Sequence, residues 1–328
     1  MHAEKCAFVT RLLLVALCAL PLSRERAAAS EFAEPFDFAP ADSPFGGTRS
    51  PVRGAWRLAT RAPDGKPLHG LSGLAWLDSK RLLVAVSDHG ELIHLRPTIQ
   101  GGVLTAVTFA ARHPLRNARG APLIGAARDA EGLALEPARA AAHHLLVSFE
   151  HDHRVVRYTL DGYFRGELPL PGAIARRLAR TTPNHGLEAL AFRHGDGPIA
   201  GLEYPGESAS PRIHLHGFES GRTWAFPPSA PGSALVGLDV TPGGDLLTLE
   251  RRYISPLHPL LIVIGRLAIA ERVGPFREIV RFSSAHGWPV DNFEGIAAHD
   301  DSHCFVLSDD NASTAQKSLL VYLALPDD

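Results

Sequence analysis

Cysteine is almost missing from this 328-residue chain: there are three, and two of them, Cys6 and Cys18, fall in the first thirty residues. Without those two, Cys304 has no partner for an intramolecular disulfide, so a disulfide-built scaffold is excluded. No His-Glu-x-x-His is present, which together with the lack of cysteine removes the usual zinc signatures. Gly-rich phosphate loops of the Walker or dinucleotide type are missing too. The nearest approach to a serine nucleophile elbow, Gly70-Leu71-Ser72-Gly73, lacks the second glycine at the proper offset. Most of the 17 histidines are scattered, so they make no triad on their own. Long apolar runs are equally scarce. Leu12 to Leu22 is the best of them, and it falls short of the roughly 18 residues a spanning helix needs, so no transmembrane segment is expected. Nor is there an excess of basic charge, which argues against a nucleic-acid partner.

The N-terminus does carry one recognisable pattern. Lys5 and Arg11 give a basic start, Leu12–Leu22 an apolar stretch, and Ala27-Ala28-Ala29 the small residues of a cleavage site. This predicts a secretory signal over residues 1–29; a merely disordered, Ala-rich terminus is the alternative. Cys18 invites a lipid anchor, but Leu17 before it is a poor fit to the small residue such sites use. Removing residues 1–29 leaves 29 basic side chains against 33 acidic ones, a net of −4. The Pro/Gly/Ser-rich stretch 30–50 reads as a linker or N-terminal arm, with one domain over 51–328.

Repetition organises the rest. A glycine-containing apolar segment, a polar turn, then a β-like run ending in an acid or serine recurs five times. The copies start at Ser72-Gly73-Leu74-Ala75, Glu131-Gly132-Leu133-Ala134, Leu187-Glu188-Ala189-Leu190, Val236-Gly237-Leu238-Asp239 and Glu294-Gly295-Ile296-Ala297. Turn signals such as Asp78-Ser79-Lys80, Gly195-Asp196-Gly197 and Pro242-Gly243-Gly244 join the two runs of each hairpin. Helical periodicity is rare, residues 172–181 being its best example. Hairpins at a spacing of roughly 50–60 residues without intervening helices predict an all-β fold, a β-propeller of five or six blades. Val52–Thr60 and Ser318–Leu325 are strand-like and expected to share one blade that closes the ring. A sixth blade would have to come from the spacers 101–128, 160–186 or 255–290.

Aligned, the copies mark two columns. Ser72, Glu131, Glu188 and Glu294 precede the first run; Ser87, Glu150, Glu203, Glu250 and Ser308 end the second, followed by Asp88, His151, Tyr204, Arg251 and Asp309. Rotation about a propeller axis turns a recurrent acid into a ring of acids. Carboxylates so crowded repel one another unless a cation sits among them. Hard oxygen donors suit Ca²⁺ before Mg²⁺ or Mn²⁺, so Glu131, Glu150, Glu188, Glu203, Glu250 and Glu294 are the expected metal ligands. An ion-pair ring, with each acid matched to an arginine, is the alternative. Arg251 and Arg252, adjoining Glu250, could hold an anionic substrate group, and His185 is a further expected substrate contact. Asp88 and Asp309 are candidates for a general base or a second ion.

At these residues the chain resembles a known family. Glu131-Gly132-Leu133-Ala134, Asn184-His185-Gly186-Leu187-Glu188, Leu249-Glu250-Arg251-Arg252, Asn292-Phe293-Glu294-Gly295-Ile296 and Leu307-Ser308-Asp309-Asp310-Asn311 look like the bacterial phytase-like family with "esterase-like activity of phytase". The likeness covers roughly residues 50–326. It implies a β-propeller, export to the periplasm or beyond, and hydrolysis of a small anionic or ester substrate. The expected function is therefore metal-assisted hydrolysis of phosphate or other esters. A non-catalytic envelope propeller that binds a ligand or protein, and a sugar-lactone hydrolase, are the rivals.

Overall fold

The computed structural model describes residues 32–40, 50–137, 142–182, 185–205, 210–269 and 273–326. The expected signal over 1–29, Cys18 and Asn184 lie outside these residues. Two strands open the described chain, β1 (Ala33–Pro35) and β2 (Val52–Leu58). Blade 1 follows as β3 (Leu71–Leu77), β4 (Leu82–Ser87), β5 (Glu91–Gln100) and β6 (Val103–Pro114). Blade 2 is β7 (Ala130–Glu136), β8 (His144–Phe149), β9 (Arg154–Thr159) and β10 (Phe164–Leu168). The short helix α1 (Gly172–Leu178) leads to blade 3, formed by β11 (Ala189–Arg193), β12 (Gly197–Gly201), β13 (Ile213–Gly217) and β14 (Thr223–Phe226). Blade 4 is β15 (Ala234–Val240), β16 (Leu246–Arg252), β17 (Leu261–Ile269) and β18 (Val273–Ser283). Strands β19 (Asn292–Ala298), β20 (His303–Asp309) and β21 (Leu319–Ala324) end the chain.

The described residues form five antiparallel blades, the first four of them continuous meanders. The spacers that could have hidden a sixth supply outer strands and α1 instead. The last blade has the order β1-β2-β21-β20-β19: the chain's two ends share it, with Ala55↔Val321 and Trp56↔Leu320 in register. The arm expected over 30–50 thus contributes β1, and Phe38 packs edge-on against Phe282 and Phe293. Closing the ring in this way leaves β21 no open edge.

Burial follows from the layering. Strands sandwiched between neighbouring blades are covered on both faces, so they read as continuous apolar runs. Successive side chains still alternate: Leu83 and Ala85 of β4 enter the core shared with blade 5, while Leu82, Val84 and Val86 enter that shared with blade 2. Five such cores separate the five blades. The inner strands β3, β7, β11, β15 and β19 contact one another in turn, and β19 returns to β3.

Glycine sets the width of that inner ring. A Cβ at Gly73 would lie 2.6 Å from the carbonyl oxygen of Glu131, one at Gly132 2.8 Å from that of Glu188, one at Gly237 2.8 Å from that of Glu294, and one at Gly295 2.5 Å from that of Ser72. The repeat's glycine is there because the neighbouring inner strand passes where a side chain would be. At each of these glycines a β-bulge shifts the register with the second strand. In blade 3 the position is Ala189, and the β11–β12 ladder runs unshifted.

Candidate functional site

Inner strands begin, and second strands end, at the same mouth of the channel. The backbone identifies which residues are equivalent there. Asp88 N donates to Gly70 O, Glu150 N to Asp129 O and Glu203 N to Gly186 O. Each of those carbonyls belongs to the residue two before the inner-strand position Ser72, Glu131 or Glu188. In blades 4 and 5 the corresponding partners are Ala234↔Arg251 and Asn292↔Asp309. The outer tier is therefore Asp88, Glu150, Glu203, Arg251 and Asp309, one residue per blade. The inner tier is Ser72, Glu131, Glu188, Val236 and Glu294.

This differs from the columns read off the sequence, which aligned Ser87, Glu250 and Ser308 with Glu150 and Glu203. The reason is register. Glu150 and Glu203 bond back to the inner strand at the same place as Arg251 and Asp309. Glu250 and Ser308 come one residue earlier, level with Phe149, so strict alternation sends them to the opposite face. Glu250 accepts from Ser229 N at 2.8 Å and Ser229 Oγ at 2.7 Å, away from the other acids. Ser308 likewise donates to Lys317 O and accepts from Leu319 N. Arg252 donates to Pro231 O at 3.0 Å and does not reach the tiers.

The remaining expected acids come together. Oxygens of Glu150, Glu188 and Glu203 lie within 4.8 Å of one another, and ligand atoms of Asp129, Glu150 and His151 form a second group of the same reach. Asp129 escaped the sequence reading because its equivalents are Gly70, Gly186, Ala234 and Asn292; its one signal was a place two residues before Glu131. Burial and mutual repulsion push the Glu131 and Glu188 carboxyls well above the usual range. Both keep some exposed surface, because they border the channel while protein encloses them on every other side. Asp309 is raised to about 7 by burial, then by the charges of Glu294 and Asp88; its Oδ1 has no hydrogen-bond partner. Asp88 is raised by burial against the pull of His89, and Asp129 adds to the rise. The Asp88 side chain sits where a Cβ on Gly70 would be, 1.8 Å from Oδ1, and Gly70 has φ +63.

One guanidinium is bonded into these tiers. Arg251 Nη1 reaches Glu294 at 2.5 Å and also Asn292, and Nη2 lies 3.6 Å from Glu203. Burial alone would lower its pKa, but Glu294, Glu188 and Glu203 raise it. Around the mouth stand four histidine–carboxylate pairs made through Nδ1: His69–Asp310 at 2.9 Å, His89–Asp88 at 2.9 Å, His151–Asp129 at 2.6 Å and His185–Glu203 at 2.7 Å. The ring of His185 also meets Tyr204 edge-on. Among the described residues the mouth therefore gathers nine carboxyls, Asp88, Asp129, Glu131, Glu150, Glu188, Glu203, Glu294, Asp309 and Asp310, against one bonded arginine. Such a set can bind a cation, orient an anionic group through Arg251, and take up a proton near neutral pH.

Among the described residues no helix is long and apolar enough to cross a membrane. Comparison with known proteins gives one family: the model described as "Phytase-like: Esterase-like activity of phytase" matches residues 66–312. Among curated proteins no sequence matches the chain. Among solved structures, the β-propeller domain of Cps50 (Swd1) from Myceliophteria thermophila is 13% identical, covering 83% of this chain and 91% of that one at a TM-score of 0.37. U3-55K is 10% identical, covering 79% and 96% at a TM-score of 0.39. Likenesses this distant carry no argument about function.

Proposed function

The chain belongs to the phytase-like family with esterase-like activity of phytase, and from that premise we propose that it is a metal-assisted hydrolase of phosphate or other esters working at the acidic mouth. The observation that carries the proposal is the convergence of Glu150, Glu188 and Glu203 within 4.8 Å from three different strand ends. The donor set fits a hard divalent ion, best Ca²⁺: the contributing atoms are carboxylate oxygens, and the ring is short of positive charge. Glu150, Glu188 and Glu203 would hold the ion, with Glu131 beside them. A divalent cation there supplies Lewis acidity that polarises an ester oxygen and lowers the pKa of nearby water.

The chain's own residues do the remainder. Arg251, already poised between Glu203 and Glu294, orients an anionic group once Glu203 is engaged elsewhere. Asp309, with its unpartnered Oδ1 and a pKa near neutrality, accepts the proton of the attacking water. His185 fixes the Glu203 carboxylate through Nδ1. Export to the periplasm or medium is the compartment that goes with this reading.

Arg251 also favours a second reading. Its bonds to Glu294 and Asn292 and its approach to Glu203 could serve only to tie blades 3, 4 and 5 together in a propeller that binds rather than cleaves. Assays against phytate, p-nitrophenyl phosphate, p-nitrophenyl acetate and gluconolactone, each with Ca²⁺ and with chelator, separate the two. Turnover of an ester that needs Ca²⁺ supports the hydrolase. Turnover of the lactone alone moves the chain to lactone chemistry. No turnover by folded protein leaves the binding propeller.

A further inference from the structure

The opposite mouth, where inner strands turn into second strands, holds a cavity of about 820 Å³ lined from all five blades. None of the acidic tiers reaches it. Trp76 and Phe192 supply aromatic wall, with Leu135 and Ala298 beside them. Trp76 is only 7% exposed, and its Nε1 is a buried donor with no acceptor. His143, also on the wall, has an unpartnered buried Nδ1. An unmet buried polar atom of this kind costs about 1–3 kcal/mol, whether it is the indole donor or an imidazole nitrogen that donates or accepts with its tautomer.

Asp239 completes the set. Its Oδ1 accepts from Val240 N and its Oδ2 from Ala298 N, both at 2.8 Å, so the carboxyl is held rigidly and each oxygen keeps a lone pair for the cavity. Burial raises its pKa to about 7. The wall's arginine, Arg193, donates from all three nitrogens, Nε to Gly244 O, Nη1 to Asp196 and Nη2 to Ile269 O, and its charge is already paired with Asp196. An anionic ligand would instead face the carboxyls of Asp78, Asp239 and Asp300. An uncharged ligand with hydroxyls to donate, oxygens to accept and an apolar ring face to lay on an aromatic would find all three needs met.

We propose that this cavity is a second ligand site, separate from the acidic mouth, and that it takes a neutral sugar of one or two rings stacked on Phe192 and hydrogen-bonded to Asp239. Pockets for such ligands run to about 300–1,000 Å³, and this one falls within that range.

The test is calorimetric titration of the full chain, with tryptophan fluorescence in parallel. Probes are glucose, galactose, mannose, maltose and cellobiose, set against choline and glucose 6-phosphate. Saturable binding of at least one neutral sugar is expected, undiminished by chelator, which separates it from any cation at the other mouth. Phe192→Ala and Leu135→Trp should each weaken it by about tenfold or more, and Asp239→Asn likewise, in protein that still unfolds cooperatively. If Asp239→Asn fails to fold, the other two variants still decide. Failure of every sugar to saturate at about 10 mM, binding of choline in their place, or indifference to Phe192→Ala and Leu135→Trp would overturn the proposal.

Discussion

Asp309 is buried, lacks a partner for Oδ1 and ionises near pH 7 where an ordinary aspartate ionises at 3.8. A carboxyl raised in the folded state contributes its full share to stability below 3.8 and loses it as pH climbs through about 7. Asp309→Asn should therefore stabilise the chelator-treated protein at pH 8, by on the order of 2 kcal/mol, and do little at pH 4; thermal unfolding at the two pH values measures this. The same variant should abolish ester turnover if Asp309 is the base. Glu250 and Glu203 offer a sharper contrast between neighbouring columns of the repeat. Glu250→Gln removes the charged acceptor for Ser229 and should cost about 1–2 kcal/mol without altering any effect of Ca²⁺ on melting. Glu203→Gln should erase that effect.

Inner strands are the elements on which the fold turns. Gly132 has an ordinary backbone conformation, yet a Cβ there would meet Ser148 Oγ at 2.5 Å and Glu188 O at 2.8 Å. Gly132→Ala should push β7 from β11 and cost about 1–3 kcal/mol, read as a lower denaturant midpoint. Gly172→Ala, at the start of α1 where a Cβ meets only the end of the Arg176 side chain at 3.3 Å, should be neutral or stabilise by up to about 1 kcal/mol. These elements were well marked in the sequence: turn signals at 78–80 and 242–244 lie between the paired strands of blades 1 and 4, and 172–181 carries α1. That Arg251 rather than Glu250 is the counterpart of Glu150 was not recoverable, because an alignment by residue type cannot see which residues a ladder pairs. Asp129 was hidden for a related reason, since no neighbouring blade carries an acid at its position.

At the scale of the whole molecule, acid tiers supplied by separate blades repel one another across one mouth. A divalent cation that binds the ionised form should raise the melting temperature, and the gain over chelator should grow from pH 5 to pH 8 as the raised carboxyls deprotonate. A gain independent of pH, or none, would speak for the arginine-tied ring. Deleting residues through Leu58 would strip β1 and β2 from β21 and bare its edge; loss of cooperative unfolding or self-association on a sizing column is the expected result. From the amino-acid order alone came the all-β class, five hairpin repeats, the shared closing blade and most of the acids, because apolar period, turn chemistry and repetition are written locally along the chain. Tertiary structure alone decided which of those acids face one another, that Arg251 stands among them, and that a second cavity opens at the other end. Those outcomes depend on bulges, ladder register and rotation about a common axis, which fix the direction of a side chain only after distant strands have paired.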